Sequence, residues 1–446
     1  MGGAVMGGEG VAWRLRVAGI RYRFRESLFL LPALVMLGGV LLAVAATAID
    51  NDLGDEAEVP LTLAMSSNAA TWLVSTVAGA MITTVGVVFS LTVVSLQLAS
   101  SQFSPRVMRS FIRDRLSQGV IGLLVGTFFY CVLILPSING EATAPAPRIS
   151  VTLAVVLTLV TVVGIIAHLD HLARGLQVGN LARVISAEGR DVVTKVSRTP
   201  DGLHGADSAD FSVPDDATAV CSRRSGWISQ VDTEQMLNSV PPGTTVRLET
   251  RVGAYIHEGE PLFTVHPPQT RRTRHALAEA IDVTAARTML QDVDFAIRQL
   301  VDIGLRALSP AVNDPTTAVE IILRLGTLMR KVLTCPPAPL AIHDDEGRVL
   351  VQPWNLHPDE YVAHAFDQLR QSCLDQPEVV ATLLRVLRML ISPVDAAGCH
   401  ARADSLDRQM RLTLEAVAEQ PGLHPEDLAR LQAMASDETD PADHSP

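Results

Sequence analysis

The chain has 446 residues, of which 19% are charged, and its mean hydropathy is +0.26; an ordinary soluble domain carries about 25% charged residues. Four windows hold no Asp, Glu, Lys or Arg, 27–49, 59–105, 116–140 and 149–169, with lengths of 23, 47, 25 and 21 residues. A bilayer span needs roughly 20 apolar residues, so a simple soluble enzyme is excluded. The net charge of −12 argues against a nucleic-acid partner. Five cysteines without a CxxC pair leave no disulfide framework or zinc ribbon.

The first window follows a basic segment, 1–27, with Arg14, Arg16, Arg21, Arg23 and Arg25. It is too long for the apolar region of a signal peptide and reads as a span near 28–48. The loop after it carries Asp50, Asp52, Asp55, Glu56 and Glu58, and the loop after the second span carries Arg106, Arg109, Arg113 and Arg115. Arg174 and Arg183 follow the fourth span. Basic flanks stay on the cytoplasmic side, which predicts four spans (about 28–48, 70–101, 118–138 and 149–169) in a membrane domain over 28–173. Both termini are then cytoplasmic, in a bacterial inner membrane.

Along the second span, Thr76, Gly79, Thr83, Gly86, Ser90 and Gln97 recur at spacings of three, four, three, four and seven. At 100° per residue they fall within an arc of about 80°. Such a stripe either lets helices pack closely, with hydroxyls bonding across the contact, or lines a hydrated path formed by several subunits. No span carries a carboxylate or Arg at mid-depth, which argues against a proton-coupled pump.

The fourth window runs into His168, Asp170 and His171. His168 and His171 can share a helix face and read as headgroup contacts, with a partial metal site as the alternative. Apolar spacing continues, which predicts a helical stalk over 174–199. Residues 200–216, rich in Gly, Pro and Asp, form a linker. Short β-branched or alternating runs with Gly at the breaks predict a small β-domain over 217–268. Gly226-x-Ile228-x-x-Val231 with Val252-Gly253-x-x-Ile256-x-x-Gly259 resembles a barrel-sandwich hybrid hairpin. No lysine occurs between Lys195 and Lys331, so lipoyl or biotinyl attachment there is excluded.

From 274 to 436 the pattern is helical, with a short hairpin near 341–351. Leu290, Val293, Ile297, Leu300, Val301, Gly304, Leu305 and Leu308 form an apolar stripe. Asp294 with Arg298, Arg298 with Asp302, and Asp302 with Arg306 are each four apart and read as an exposed, ion-paired face. Asp314-Pro315 opens the next helix as N-cap and N1 residue. Ser309, Asn313, Asp314, Thr316 and Thr317 could hold that turn. Beside Asp292, Arg298 and Asp302 they could instead bind an ion or anionic ligand. Catalysis has little support, because there is no nucleophile–base pairing, P-loop or glycine fingerprint. Helices are expected near 358–375, 377–391, 396–419 and 424–435, and 437–446 is an acidic tail.

Three segments carry a resemblance: Gly86–Leu91 with Gln97–Arg106, His171–Val178, and Arg287-x-x-x-Gln291-Asp292-x-x-Phe295 through Ala307–Ala318. Together they resemble a bacterial family of predicted membrane proteins, domain of unknown function 2254. The resemblance implies a membrane topology and no chemistry. The expected molecule is a polytopic α-helical membrane protein with four transmembrane helices and a cytoplasmic α+β portion, a small β-domain followed by an α-helical domain. No cofactor and no metal is implied. The expected partners are the lipid bilayer, further copies in a homo-oligomer, and an ion or small-molecule ligand. A channel-like or transport-associated role is the leading expectation, and a non-conducting scaffold or sensor is the alternative.

Overall fold

The computed structural model describes residues 30–53, 60, 62–102, 115–138, 145–175, 177–207, 211, 214, 217–396, 400–421 and 423–435. The basic segment 1–27, most of the charges flanking the spans, part of the 200–216 linker and the tail 437–446 lie outside these residues. The chain forms two compact units, Met1–Gln177 and Val178–Pro446.

The first unit contains helices α1 (Leu30–Leu53), α2 (Ser67–Gln102), α3 (Arg115–Ile134, continued by a 3-10 turn to Ile138) and α4 (Arg148–Gly175). All four are long and apolar enough to cross a membrane. Helix α3 is the hub, burying Val120, Gly122, Leu124, Gly126, Tyr130 and Ile134. It packs on α1 through small residues. A Cβ added at Gly122 would sit 2.8 Å from Pro32 Cα, and one at Gly39 would sit 2.6 Å from the Gly126 carbonyl oxygen. Without a hydrophobic force between helices in lipid, such close backbone approach is what makes association favourable.

Several polar groups in this unit are paired across helices. Asp50, near the end of α1, accepts from the Ile149 amide (3.0 Å), the Ser150 amide (2.9 Å) and the Ser150 hydroxyl (2.6 Å), capping α4. The Thr127 and Thr161 hydroxyls meet at 3.0 Å, and the Tyr130 hydroxyl donates to the Ser150 carbonyl. His168 does not face headgroups. It is fully buried, 3.2 Å from the Ser117 hydroxyl, whereas His171 is exposed.

The second unit opens with α5 (Val178–Val196). The expected uninterrupted stalk is not formed: α4 ends at Gly175, and α5 buries Leu181, Ile185, Val192 and Val193 as a core helix of this unit. The apolar spacing was a packing stripe. The strands follow: β1 (His204–Ala206), β2 (Thr218–Cys221), β3 (Gly226–Val231), β4 (Thr245–Leu248), β5 (Tyr255–Ile256), β6 (Pro261–His266) and β7 (Ile281–Thr284). A short helix α6 (Thr233–Asn238) separates β3 from β4, and α7 (Arg271–Glu279) separates β6 from β7.

Helices α8 (Val293–Ala307) and α9 (Pro315–Thr334) lead to the hairpin β8 (Ala341–His343) and β9 (Val349–Val351). They are followed by α10 (Pro358–Ser372), α11 (Pro377–Ala396), α12 (His400–Ala418) and α13 (Pro425–Ala435). The expected hairpin near 341–351 does not belong to the helical part. β9 pairs in parallel with β4, Val246 opposite Leu350, giving a sheet of order β1-β8-β9-β4-β6-β2. A second sheet, β5-β3-β7, shares its core: Ile228, Val246, Phe263, Val265, Val283 and Leu350 are buried together. The β-module is therefore discontinuous in sequence, assembled from 204–284 and 341–351.

Replacing Gly126 by Leu should lower the thermal midpoint of the detergent-solubilised protein by the equivalent of about 1–3 kcal/mol through overpacking. Gly79→Ala, where nothing lies within 4 Å, should leave the midpoint unchanged or slightly raised. Equal losses in both variants would show that the α1–α3 contact is not what holds the unit.

Candidate functional site

In the first unit, α2 presents two opposite faces. Ala70, Val74, Met81 and Val88 are buried and span about 40° of arc. The stripe Thr76, Gly79, Thr83, Gly86, Ser90 and Gln97 is exposed throughout and lies about 180° away. Gly79 and Gly86 have open space where a Cβ would be. The stripe is thus not an intrachain packing surface. That role falls to Gly39, Gly122 and Gly126, whose Gly-x-x-x-Gly spacing in α3 is the available sequence signal. The Thr76 hydroxyl donates to the Trp72 carbonyl (2.7 Å) and that of Thr83 to the Gly79 carbonyl (2.9 Å).

In the second unit, the expected polar constellation separates into two places. Asp292 caps the start of α8, and Ser309–Thr317 lies beyond its end, about 22 Å away along a 15-residue helix. The far corner is a turn and a cap. Asp314 accepts from the Thr317 amide (3.0 Å) and hydroxyl (2.6 Å), and Ser309 donates to the Arg306 carbonyl. Asn313 takes φ of 46°, a conformation Asn tolerates better than most residues, and its side chain accepts from Gln376. Thr316 is exposed and Asp302 half-buried. The structure does not bring Asp302 or this corner to Asp292.

At the near end, a buried ionic cluster forms. The Arg287 guanidinium lies between the Trp227 ring (5.7 Å) and the Phe295 ring (5.5 Å). It donates through Nε and Nη2 to Asp292, and through Nη2 to Asp294 at 2.8 Å. Asp292 also accepts the Phe295 amide at 3.0 Å. Asp294 receives His364 Nδ1 at 2.7 Å and lies 3.5 Å from Arg298 Nε. Both carboxylates are almost fully buried, 4% and 2% exposed, so the expected exposed, ion-paired face fails at Asp294. Burial alone would raise the Asp294 carboxyl, but the hydrogen bonds and charges of His364 and Arg287 outweigh it and hold it well below the usual carboxylate range. Asp292 is driven upward by its burial, against its bonds to Arg287.

Gly253, at φ +81°, packs so closely that a Cβ would overlap Asp292 Oδ2 and Arg287 Nη2. Gln291 binds the backbone of Val231 in both directions, at 2.9 and 3.1 Å. The Arg287…Gln291-Asp292 motif is therefore the joint between β-module and helical module. Sequence reading missed Asp294, His364 and Gly253 as its members, because nothing in helical periodicity separates a buried ion pair from a solvated one.

Asp294→Asn should cost about 3–5 kcal/mol of stability at neutral pH, since it removes one of the two buried carboxylates that Arg287 bridges and the acceptor of His364. A carboxyl with a depressed folded pKa stabilises above its unfolded pKa near 4 and loses that contribution as pH falls. The gap between wild type and variant should therefore narrow by about 1.4 kcal/mol per unit below pH 4. Denaturant unfolding of the full chain at several pH values measures both; a constant gap would remove the cluster from the acid limb. At the other end of α8, Asn313→Gly should be near neutral, whereas Asn313→Val should lose about 1–2 kcal/mol through its left-handed backbone.

Residues 25–389 match the family described as "Predicted membrane protein (DUF2254)". Uncharacterised proteins of Mycobacterium bovis and of two Mycobacterium tuberculosis strains are 30% identical over 378 residues, which cover 78% of this chain and 72% of each relative. No solved structure matches significantly. With four apolar helices in its N-terminal half, followed by a mixed helical and sheet portion, the chain belongs to the DUF2254 family of predicted membrane proteins.

Proposed function

We propose that the protein is a channel-like or transport-associated homo-oligomer of the bacterial inner membrane, regulated by a cytoplasmic second unit. The observation that carries this reading is the outward stripe of α2. Six small or polar residues along one helix face away from their own bundle. An unpaired amide such as that of Gln97 costs about 4–8 kcal/mol in a purely apolar medium, so lipid is a poor neighbour for this face. Copies of α2 arranged around an axis would turn the stripe toward water. Regulation is supported by chain continuity, since α5 begins three residues after α4 ends.

A second reading, a non-conducting scaffold or sensor, draws on a different observation. The Thr76 and Thr83 hydroxyls already donate within their own helix and do not require water, so the stripe also suits a dry contact between copies.

Ion flux from liposomes holding the full-length protein, with Thr83→Leu and Ser90→Leu variants alongside, separates the two. A lined path predicts flux that falls at least tenfold in variants whose oligomeric state by size-exclusion light scattering is unchanged. A dry contact predicts variants that dissociate. No flux from the wild type under voltage, osmotic downshift or pH steps would overturn conduction.

A further inference from the structure

Beside the buried cluster lies a cavity of about 530 Å³, contained within the second unit. That volume is in the range of small-molecule sites, roughly 300–1,000 Å³. Asp292 and Asp294 reach its wall with their charges already met by Arg287, Arg298 and His364. The other charged groups along the wall are Lys195, Arg198 and Arg251 against Asp232 and Glu234. Asp232 is engaged as the cap of α6, accepting the Gln235 amide at 2.9 Å. Among the described residues, no carboxylate lies within ion-pair distance of any of the three cations, and Arg251 donates only to the Val252 carbonyl. The balance facing the cavity is positive, although the whole chain carries −12.

Tyr361 supplies an independent observation. It lines the same cavity, and its hydroxyl makes no hydrogen bond to any described residue. Burial, followed by the charges of Asp292 and Asp294, pushes this phenol upward, with Arg251 pulling the other way. The hydroxyl thus stays protonated, a donor without an acceptor near an arginine without a carboxylate. Tyr361 is half-buried, so its hydroxyl is available to an acceptor that enters the cavity. Leu290, Val332 and Pro337 give part of the wall an apolar character.

From this arrangement we infer that the cavity is a binding site for a small organic anion with an apolar or aromatic body. Arg251 and Tyr361 hold the anionic group, Lys195 and Arg198 sit at the mouth, and the apolar wall takes the body. The site rests on the second unit alone and does not depend on whether the protein conducts. Its floor is the joint between β-module and helical module, so an occupant would contact segments from both.

Isothermal titration of the full-length chain in lipid nanodiscs with naphthalene sulfonate, with empty nanodiscs subtracted, tests the assignment. The expected result is one saturable site per chain. Arg251→Gln should weaken it at least tenfold and Tyr361→Phe about three- to tenfold, while Arg272→Gln, an exposed arginine outside the cavity, leaves it unchanged. Should Arg251→Gln fail to fold, Lys195→Gln, at an exposed position, is expected to weaken binding about threefold. No saturable heat beyond empty nanodiscs, affinity unaltered in the cavity variants, or equal binding of uncharged naphthalene methanol would overturn it.

Discussion

The second unit depends on keeping one arginine and two aspartates out of water. Arg287, Asp292 and Asp294 are buried together, and each must be satisfied by the others, because an uncompensated charge in that position would cost several kcal/mol. The requirement fixes more than its own residues. It places the cap of α8, demands glycine at position 253, brings His364 of α10 to Asp294 and, through neighbouring Gln291, pins the backbone of β3. The two sheets and the helical layer are thereby held in one register, around which the cavity lined by Arg251 and Tyr361 takes shape.

In the first unit the corresponding constraint is backbone proximity. Lipid offers no hydrophobic drive for helix association, so contact has to come from shape and from paired polar groups. Gly39, Gly122 and Gly126 supply the shape, and Asp50, Thr127, Thr161 and Tyr130 supply the pairs. Having met its packing needs there, the unit leaves the small face of α2 unused within the chain. A surface of that kind is costly to leave against lipid, which is why the functional reading begins from it.

These two solutions follow from the solvent each unit faces. Membrane helices gain little from apolar burial and rely on fit, whereas the second unit gathers an apolar core of Ile228, Phe263, Leu350 and their neighbours, worth roughly 25 cal/mol per Å² removed from water. That gain is what allows the fold to carry a buried ionic joint at all.

The sequence by itself determined the number and places of the apolar helices, the start of α9 at Asp314, and the later helices to within a few residues, because these rest on local rules: hydropathy, spacing and capping. It also singled out the α2 stripe as one face. What only the tertiary structure decided was which face meets what. The stripe could have been packed or exposed, the run after α4 could have been stalk or core, and Asp294 could have been solvated or buried. In each case the helical period is the same, and only neighbours distant in sequence tell the alternatives apart. The parallel pairing of β9 with β4 and the meeting of Arg251 with Tyr361 across 110 residues of chain are of the same kind: free energies of non-local contact, which no local pattern encodes.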